Sequence, residues 1–176
     1  ELPHLAANLV LYQDPVPLFE AFGIEKEIER ALQRKVWLKS GGYIIIDHTE
    51  ALVAIDVNTG RFVGKSDPAA TMLTTNLEAV HEIVRQLRLR NIGGLVIIDF
   101  IDMDTDEHNQ RVFQTLEEAL RYDRARTRIL QISEFGLVEM TRKRTRASLD
   151  QVLCEPCMYC HGTGRMESAT SVCSKV

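Results

Sequence analysis

The sequence predicts an α/β fold, and three observations carry that expectation. Tyr43 to Asp47 and Ala51 to Val57 are short runs rich in Ile, Val and Ala, separated by His48-Thr49-Glu50, which reads as the turn of a hairpin. Leu73, Leu77, Val80, Val84 and Leu87 recur at spacings of 4, 3, 4 and 3, which makes one apolar stripe along a helix. Leu95 to Phe100 is nearly all apolar, the pattern of a strand buried on both faces. Strand, helix and strand from Ala51 to Phe100 then form a βαβ unit, with parallel strands joined by a right-handed connection.

The remaining elements follow in order. Residues 1–40 hold an apolar stretch from Val16 to Phe22 and a helical spacing of Ile24, Ile28, Ala31 and Leu32, with no core of their own. Gly41-Gly42 marks a break before the first strand. The long helix is signposted by Asp67 as its cap, Pro68 in its first turn, Arg88 and Arg90 in its last turn, and Gly93-Gly94 as its stop. A second helix is expected from Asp104 to Asp106 onward, with Val112, Phe113, Leu116, Ala119 and Leu120 facing inward. Thr127 to Ile132 and Gly136 to Thr141 are two further candidate strands. After Asp150 the chain becomes a Cys/Gly knuckle and a polar tail.

Composition bounds the possibilities. The 176 residues suffice for one compact domain with small extensions, and 45% of them are hydrophobic. No apolar run is long enough to cross a bilayer and no signal peptide opens the chain, so a cytoplasmic protein is expected. The chain starts at Glu1 rather than Met, as a piece of a longer polypeptide would. A net charge of −4 exerts no global pull on nucleic acid, yet eight of the 21 basic residues fall in two clusters. One holds Arg121, Arg124, Arg126 and Arg128; the other holds Arg142, Lys143, Arg144 and Arg146. Each reads either as a solvated face or as a local phosphate-binding patch, because screening hides distant charge beyond about 10 Å.

The acidic residues carry the chemistry. Asp56 and Asn58 lie at the end of one strand of the βαβ unit and Asp99 at the end of the other, where open α/β sheets gather ligands. Asp56 and Asn58 are two apart and share a face. If the strands are neighbours, Asp56 and Asp99 converge, and two close carboxylates invite a cation. Their hard oxygens suit Mg²⁺, which activates water and stabilises charge on phosphate. The Asn58 amide can orient a carboxylate or donate to a phosphate oxygen. The competing reading is that Val57-Asn58-Thr59-Gly60 is turn chemistry alone. Asp102 and Asp47 are weaker candidates; Asp102 would face the other way if the strand continued. His81 and His108 read as helix-surface residues.

The four cysteines bunch near the end, which in a reducing compartment argues for metal over disulfides. Cys157 and Cys160 have CxxC spacing in a Gly-rich turn, so both sulfurs reach one tetrahedral Zn²⁺. That supplies two of four ligands. Cys154 is a third ligand or a bystander, and Cys173 reads as a bystander. Reduced thiols without metal and a redox-active pair are the alternatives.

Longer stretches resemble the ribonuclease E/G family. They are Gly41-Gly42-Tyr43-Ile44-Ile45-Ile46-Asp47-His48-Thr49-Glu50-Ala51, Ala54-Ile55-Asp56-Val57-Asn58-Thr59-Gly60, Thr75-Asn76-Leu77-Glu78-Ala79, Arg85-Gln86-Leu87-Arg88-Leu89-Arg90, Ile98-Asp99-Phe100-Ile101-Asp102-Met103, Asp123-Arg124-Ala125-Arg126 and Phe135-Gly136-Leu137-Val138-Glu139-Met140-Thr141-Arg142. The match runs from about Pro17 to Gly164, and Lys143-Arg144-Thr145-Arg146 and Cys154 look more like the ribonuclease G branch. The resemblance implies a DNase I-like catalytic subdomain over 32–153, preceded in 1–31 by the tail of an RNase H-like subdomain and followed by a zinc-link over 154–165 and a polar tail over 166–176. It implies Mg²⁺ on Asp56 and Asp99, with Asn58 in support. It implies Zn²⁺ shared between two chains by Cys157 and Cys160, giving a homodimer or a higher oligomer. The implied activity is endonucleolytic hydrolysis of single-stranded, A/U-rich RNA to 5′-phosphate and 3′-hydroxyl ends, in rRNA and mRNA processing and decay. Arg124, Arg126, Arg142 and Arg144 are then candidate RNA-backbone contacts. The family's S1 domain and 5′-end sensor have no counterpart in this sequence, which leaves a non-cleaving RNA-binding and zinc-dimerisation fragment as the alternative. A phosphodiesterase acting on DNA is a further rival.

Overall fold

The computed structural model describes residues 7–60, 68–130, 133, 136–160, 162 and 164–174. Two N-terminal helices, α1 (Leu18–Ala21) and α2 (Ile24–Leu32), bury only Ala31 between them. An ion pair between Glu27 and Arg85 ties α2 to the long helix that follows. They lead into β1 (Lys35–Trp37), a short edge strand with no signal of its own in the sequence. The expected hairpin is present as β2 (Tyr43–His48) and β3 (Leu52–Asn58), paired from Tyr43↔Asn58 to His48↔Val53. The βαβ unit is completed by α3 (Pro68–Leu89) and β4 (Gly94–Asp99), with β3 and β4 parallel. Asp67, the expected cap of α3, lies outside the described residues.

Helix α4 (Asp106–Leu120) begins where expected, with Thr105 as its N-cap accepting from the His108 N–H. Strands β5 (Thr127–Ile129) and β6 (Leu137–Arg142) close a six-stranded sheet of order β1-β2-β3-β4-β6-β5, antiparallel except at β3–β4. Residues 131 and 132 of the longer expected strand are outside the described set. Short helices α5 (Leu149–Leu153) and α6 (Ala169–Cys173) follow. No helix among the described residues is long and apolar enough to cross a membrane.

The molecule has two layers. Val36, Ile44, Ile46, Val53, Ile55, Val57, Val96, Ile98, Val138 and Met140 alternate along their strands and pack against Ala79, Val80, Ile83, Val84 and Leu87 of α3 and Val112, Leu116 and Leu120 of α4. The alternate residues of these strands, on the other face of the sheet, are half-buried or exposed. This corrects the expectation for β4: Leu95 is 38% exposed, and only alternate residues of the strand are buried. Its all-apolar run signals a central strand, not one covered on both sides.

The stop of α3 also differs. Asn91 takes the left-handed conformation, its N–H donates to the Arg88 carbonyl, and the Ile92 N–H donates to that of Leu87. That pattern satisfies the last carbonyls of the helix, so Asn91 ends it. Gly93 and Gly94 serve a different purpose. A Cβ on Gly93 would sit 2.7 Å from Arg144 Cγ and 2.9 Å from Arg144 Cα, so these glycines admit the close passage of Arg144.

Candidate metal and phosphate site

Strand register builds the site. Asp56 and Asp99 are direct partners across the parallel β3–β4 pair, at the carboxyl ends of both strands. Ile55 and Val57 flank Asp56 and point into the core, as Ile98 and Phe100 do around Asp99, so both carboxylates face the open side. The Asn58 amide donates to Asp56 Oδ2 at 2.8 Å. Of the two roles considered for that amide, orienting the carboxylate is the one seen here, and its second N–H is left over.

Glycines support this corner. Gly60 has φ +62°, and a Cβ there would lie 2.5 Å from the Gly41 carbonyl oxygen. A Cβ on Gly42 would lie 2.8 Å from the Asn58 carbonyl oxygen and 2.9 Å from Thr75 Cγ2. A larger residue at Gly42 would press on the Asn58 backbone, and one at Gly60 on that of Gly41.

The electrostatics suit a cation. Partial burial at the strand end, then the charges of Asp56 and Asp102, raise the Asp99 pKa above its ordinary value. A divalent ion would relieve that repulsion. Among the described residues no group of three or more His, Cys, Asp or Glu side chains is arranged to hold a metal. A cation at Asp56 and Asp99 would rest on two carboxylates, with water and phosphate oxygens completing its shell, which is a pattern Mg²⁺ accepts.

Asp102 departs from its expected place. The strand ends at Asp99, and the following turn brings Asp102 back close enough to act on the Asp99 charge. Asn76, fully buried on α3, holds that turn: its Nδ2 donates to the Ile101 carbonyl at 2.8 Å and its Oδ1 accepts from the Ile101 N–H at 3.1 Å. The sequence reading missed this role. The signal available was a polar residue on the buried stripe of a helix, which demands partners. Asp47 is engaged elsewhere, paired through both carboxylate oxygens with Arg34.

The arginines lie apart from the carboxylates. Arg142 pairs across from Gly94 at the start of β4, five residues from Asp99, or roughly 17 Å along the strand. Arg142 is 5% exposed; its Nε and Nη2 donate to Asp123 at 2.6 and 3.0 Å and its Nη1 donates to the Ile92 carbonyl at 2.6 Å. As a surface RNA contact it is therefore corrected: its donors are spent in the core. Arg124, Arg126 and Arg144 are exposed at that same remote end, and Arg144 Nε donates to the Gly93 carbonyl.

The cysteines cluster loosely. Cys154 caps α5 and is exposed, Cys157 is exposed and Cys160 is half-buried. The backbone N–H groups of Cys160 and Tyr159, followed by the Cys160 side chain, hold the Cys157 thiol below its ordinary pKa. Hydrogen bonds from a turn to a sulfur favour the thiolate, the form that ligates metal. His161 and Thr163 of the knuckle lie outside the described residues.

Fold and site together define a two-layer α/β domain with a solvent-facing carboxylate pair at the ends of adjacent parallel strands. The chain belongs to the Ribonuclease E/G family, whose profile matches residues 1–145. It is 51% identical to Ribonuclease G of Escherichia coli K12 over 99% of this chain and 36% of that protein. The figures for Ribonuclease G of Haemophilus influenzae are the same. Identity to Ribonuclease E of Buchnera aphidicola is 49% over 97% of this chain and 19% of that protein. The chain thus spans about a third of the ribonuclease G relatives it matches.

Proposed function

We propose that this chain is the catalytic core of a Mg²⁺-dependent endoribonuclease that hydrolyses single-stranded, A/U-rich RNA. The observation that carries the reading is the register pairing of Asp56 with Asp99, with Asn58 on Asp56 Oδ2, in a chain of this family. In this reading Asp56 and Asp99 hold Mg²⁺. Bound there, the ion would stabilise charge on the phosphate and lower the pKa of an attacking water. Asn58 fixes the rotamer of Asp56, and Asn76 fixes the turn that follows Asp99. One water is consumed: its oxygen would bond to phosphorus as the bond to the 3′ oxygen breaks, its proton would end on that departing oxygen to give the 3′-hydroxyl, and the phosphate would stay on the downstream 5′ end.

The DNase I-like reading of 32–153 is supported by the mixed sheet with its carboxylates at one end. Zn²⁺ shared by Cys157 and Cys160 of two chains is supported by the exposure of Cys157, with Cys160 half-buried beside it, and by the lowered Cys157 pKa. The names of the relatives support a role in RNA processing, which we assign to rRNA and mRNA maturation and decay in the cytoplasm.

The test is cleavage of a labelled, 5′-monophosphorylated, A/U-rich single strand with Mg²⁺ and with EDTA, beside Asp56→Asn and Asp99→Asn. Metal-dependent cutting lost in both variants is the expected result. Intact fold by circular dichroism without cutting would instead favour the non-cleaving, zinc-dimerising RNA-binding fragment.

A further inference from the structure

The open face of the sheet carries an aromatic pair at the same end as the carboxylates, Tyr43 one strand and Trp37 two strands away from that of Asp56. Trp37 on β1 and Tyr43 on β2 are cross-strand partners with ring centroids 5.3 Å apart and planes at 66°. The Lys35 ammonium lies 4.0 Å from the Trp37 centroid and 3.5 Å from that of Tyr43. Trp37 is 57% exposed. Register places this group at the carboxylate end: Trp37 pairs with Tyr43, Tyr43 with Asn58, and Ile45 with Asp56. All lie on one face, because Val36, Ile44, Val57 and Ile55 between them point to the core.

From this juxtaposition we propose that Trp37 and Tyr43, with Lys35, form the stacking platform that receives an unpaired base of the RNA strand, next to the phosphate presented to Asp56 and Asp99. The proposal rests on the endoribonuclease reading and adds the residues that select a single strand. Stacking on aromatic rings needs an unstacked base and tolerates any sequence, so a duplex is refused. The cation answers a further need. Asp56, Asp99 and Asp102 repel phosphate, and the described arginines of the two clusters lie at the far end of the sheet. Lys35 supplies positive charge on the near side, held in place by the rings it caps. An aromatic pair that only protected the β1 edge would have no reason to share a face and an end with Asn58.

Trp37 is the only tryptophan in the chain, so its emission reports on the platform directly. The protein in EDTA is titrated with a short A/U-rich single-stranded RNA, with affinity followed in parallel by polarisation of a labelled strand. Saturable quenching by the single strand, none by the annealed duplex, and a loss of about tenfold in affinity in Trp37→Ala with most of it kept in Trp37→Phe are expected. Lys35→Ala is expected to flatten the salt dependence of binding by about one phosphate contact. Saturable binding that leaves Trp37 emission and the Trp37→Ala affinity unchanged would overturn the platform while cleavage by the parent chain could still stand. Absence of any binding would overturn it as well. Emission that shifts with protein concentration alone would show a second copy covering the rings, which also overturns it. Quenching by RNA without cleavage in Mg²⁺ would keep the platform and remove the catalytic reading.

Discussion

At the scale of single residues, Arg142 shows how position decides what a charge does. Its ion pair with Asp123 has side chains only 5% and 2% exposed. Burial raises the Asp123 pKa, but Arg142 and the Ala125 N–H outweigh it and hold the carboxyl below its ordinary value. A carboxylate with a depressed folded pKa contributes stability above its unfolded value, near 4, and loses it as pH falls through the folded one. We expect Asp123→Asn to cost about 3–5 kcal/mol at neutral pH and to flatten the acid limb of the stability curve, measured by urea unfolding between neutral pH and pH 3. Reversing Arg142 is expected to unfold the domain. Reversing Arg124 and Arg126 together is expected to leave thermal stability within about 0.5 kcal/mol, and a polarisation titration against salt then tests whether they touch RNA. The sequence could not separate these arginines: four cations within a few residues look alike until register turns one inward.

At the scale of elements, legibility followed periodicity. The stripe from Leu73 to Leu87 and the strands around Ile44, Ile55 and Ile98 announced themselves because each buries one face against a partner. Strand β1 did not, since three residues with one buried side chain carry no period. The end of α3 was misplaced because a glycine pair is the usual stop, whereas Asn91 adopts the left-handed turn just before it. Asn91→Ala is expected to destabilise the protein by about 1 kcal/mol in thermal unfolding, through strain at positive φ and the loss of its side-chain contacts to the Arg146 and Ala147 carbonyls. Asn76 links two elements. Asn76→Leu leaves the Ile101 N–H and carbonyl without their partner, and we expect a cost of about 1–3 kcal/mol with a fall in kcat larger than any change in KM. Equal loss of activity and folded fraction would reduce Asn76 to a packing role.

At the scale of the whole molecule, the carboxylate pair was legible because a βαβ unit makes the ends of its two strands neighbours. The polarity of the sheet was not, since it depends on β6 running antiparallel to β4 and placing Arg142 opposite Gly94. Assembly belongs to this scale too. Under the zinc reading, Cys157→Ser with Cys160→Ser is expected to shift sedimentation from dimer to monomer and to release Zn²⁺, with the near-ultraviolet dichroism of the α/β domain unchanged.

Strand β4 lies between β3 and β6, while β1 hangs at the rim of the sheet on a single neighbour. Amides of β4 will therefore be among the last to exchange with deuterated solvent and those of β1 among the first. On warming, the rim lets go before the centre. The carboxylates would stay in register after Trp37 had come loose from Tyr43, and if the cation and platform proposals hold, a chain in that half-opened state would still bind a cation while its grip on a single strand weakened.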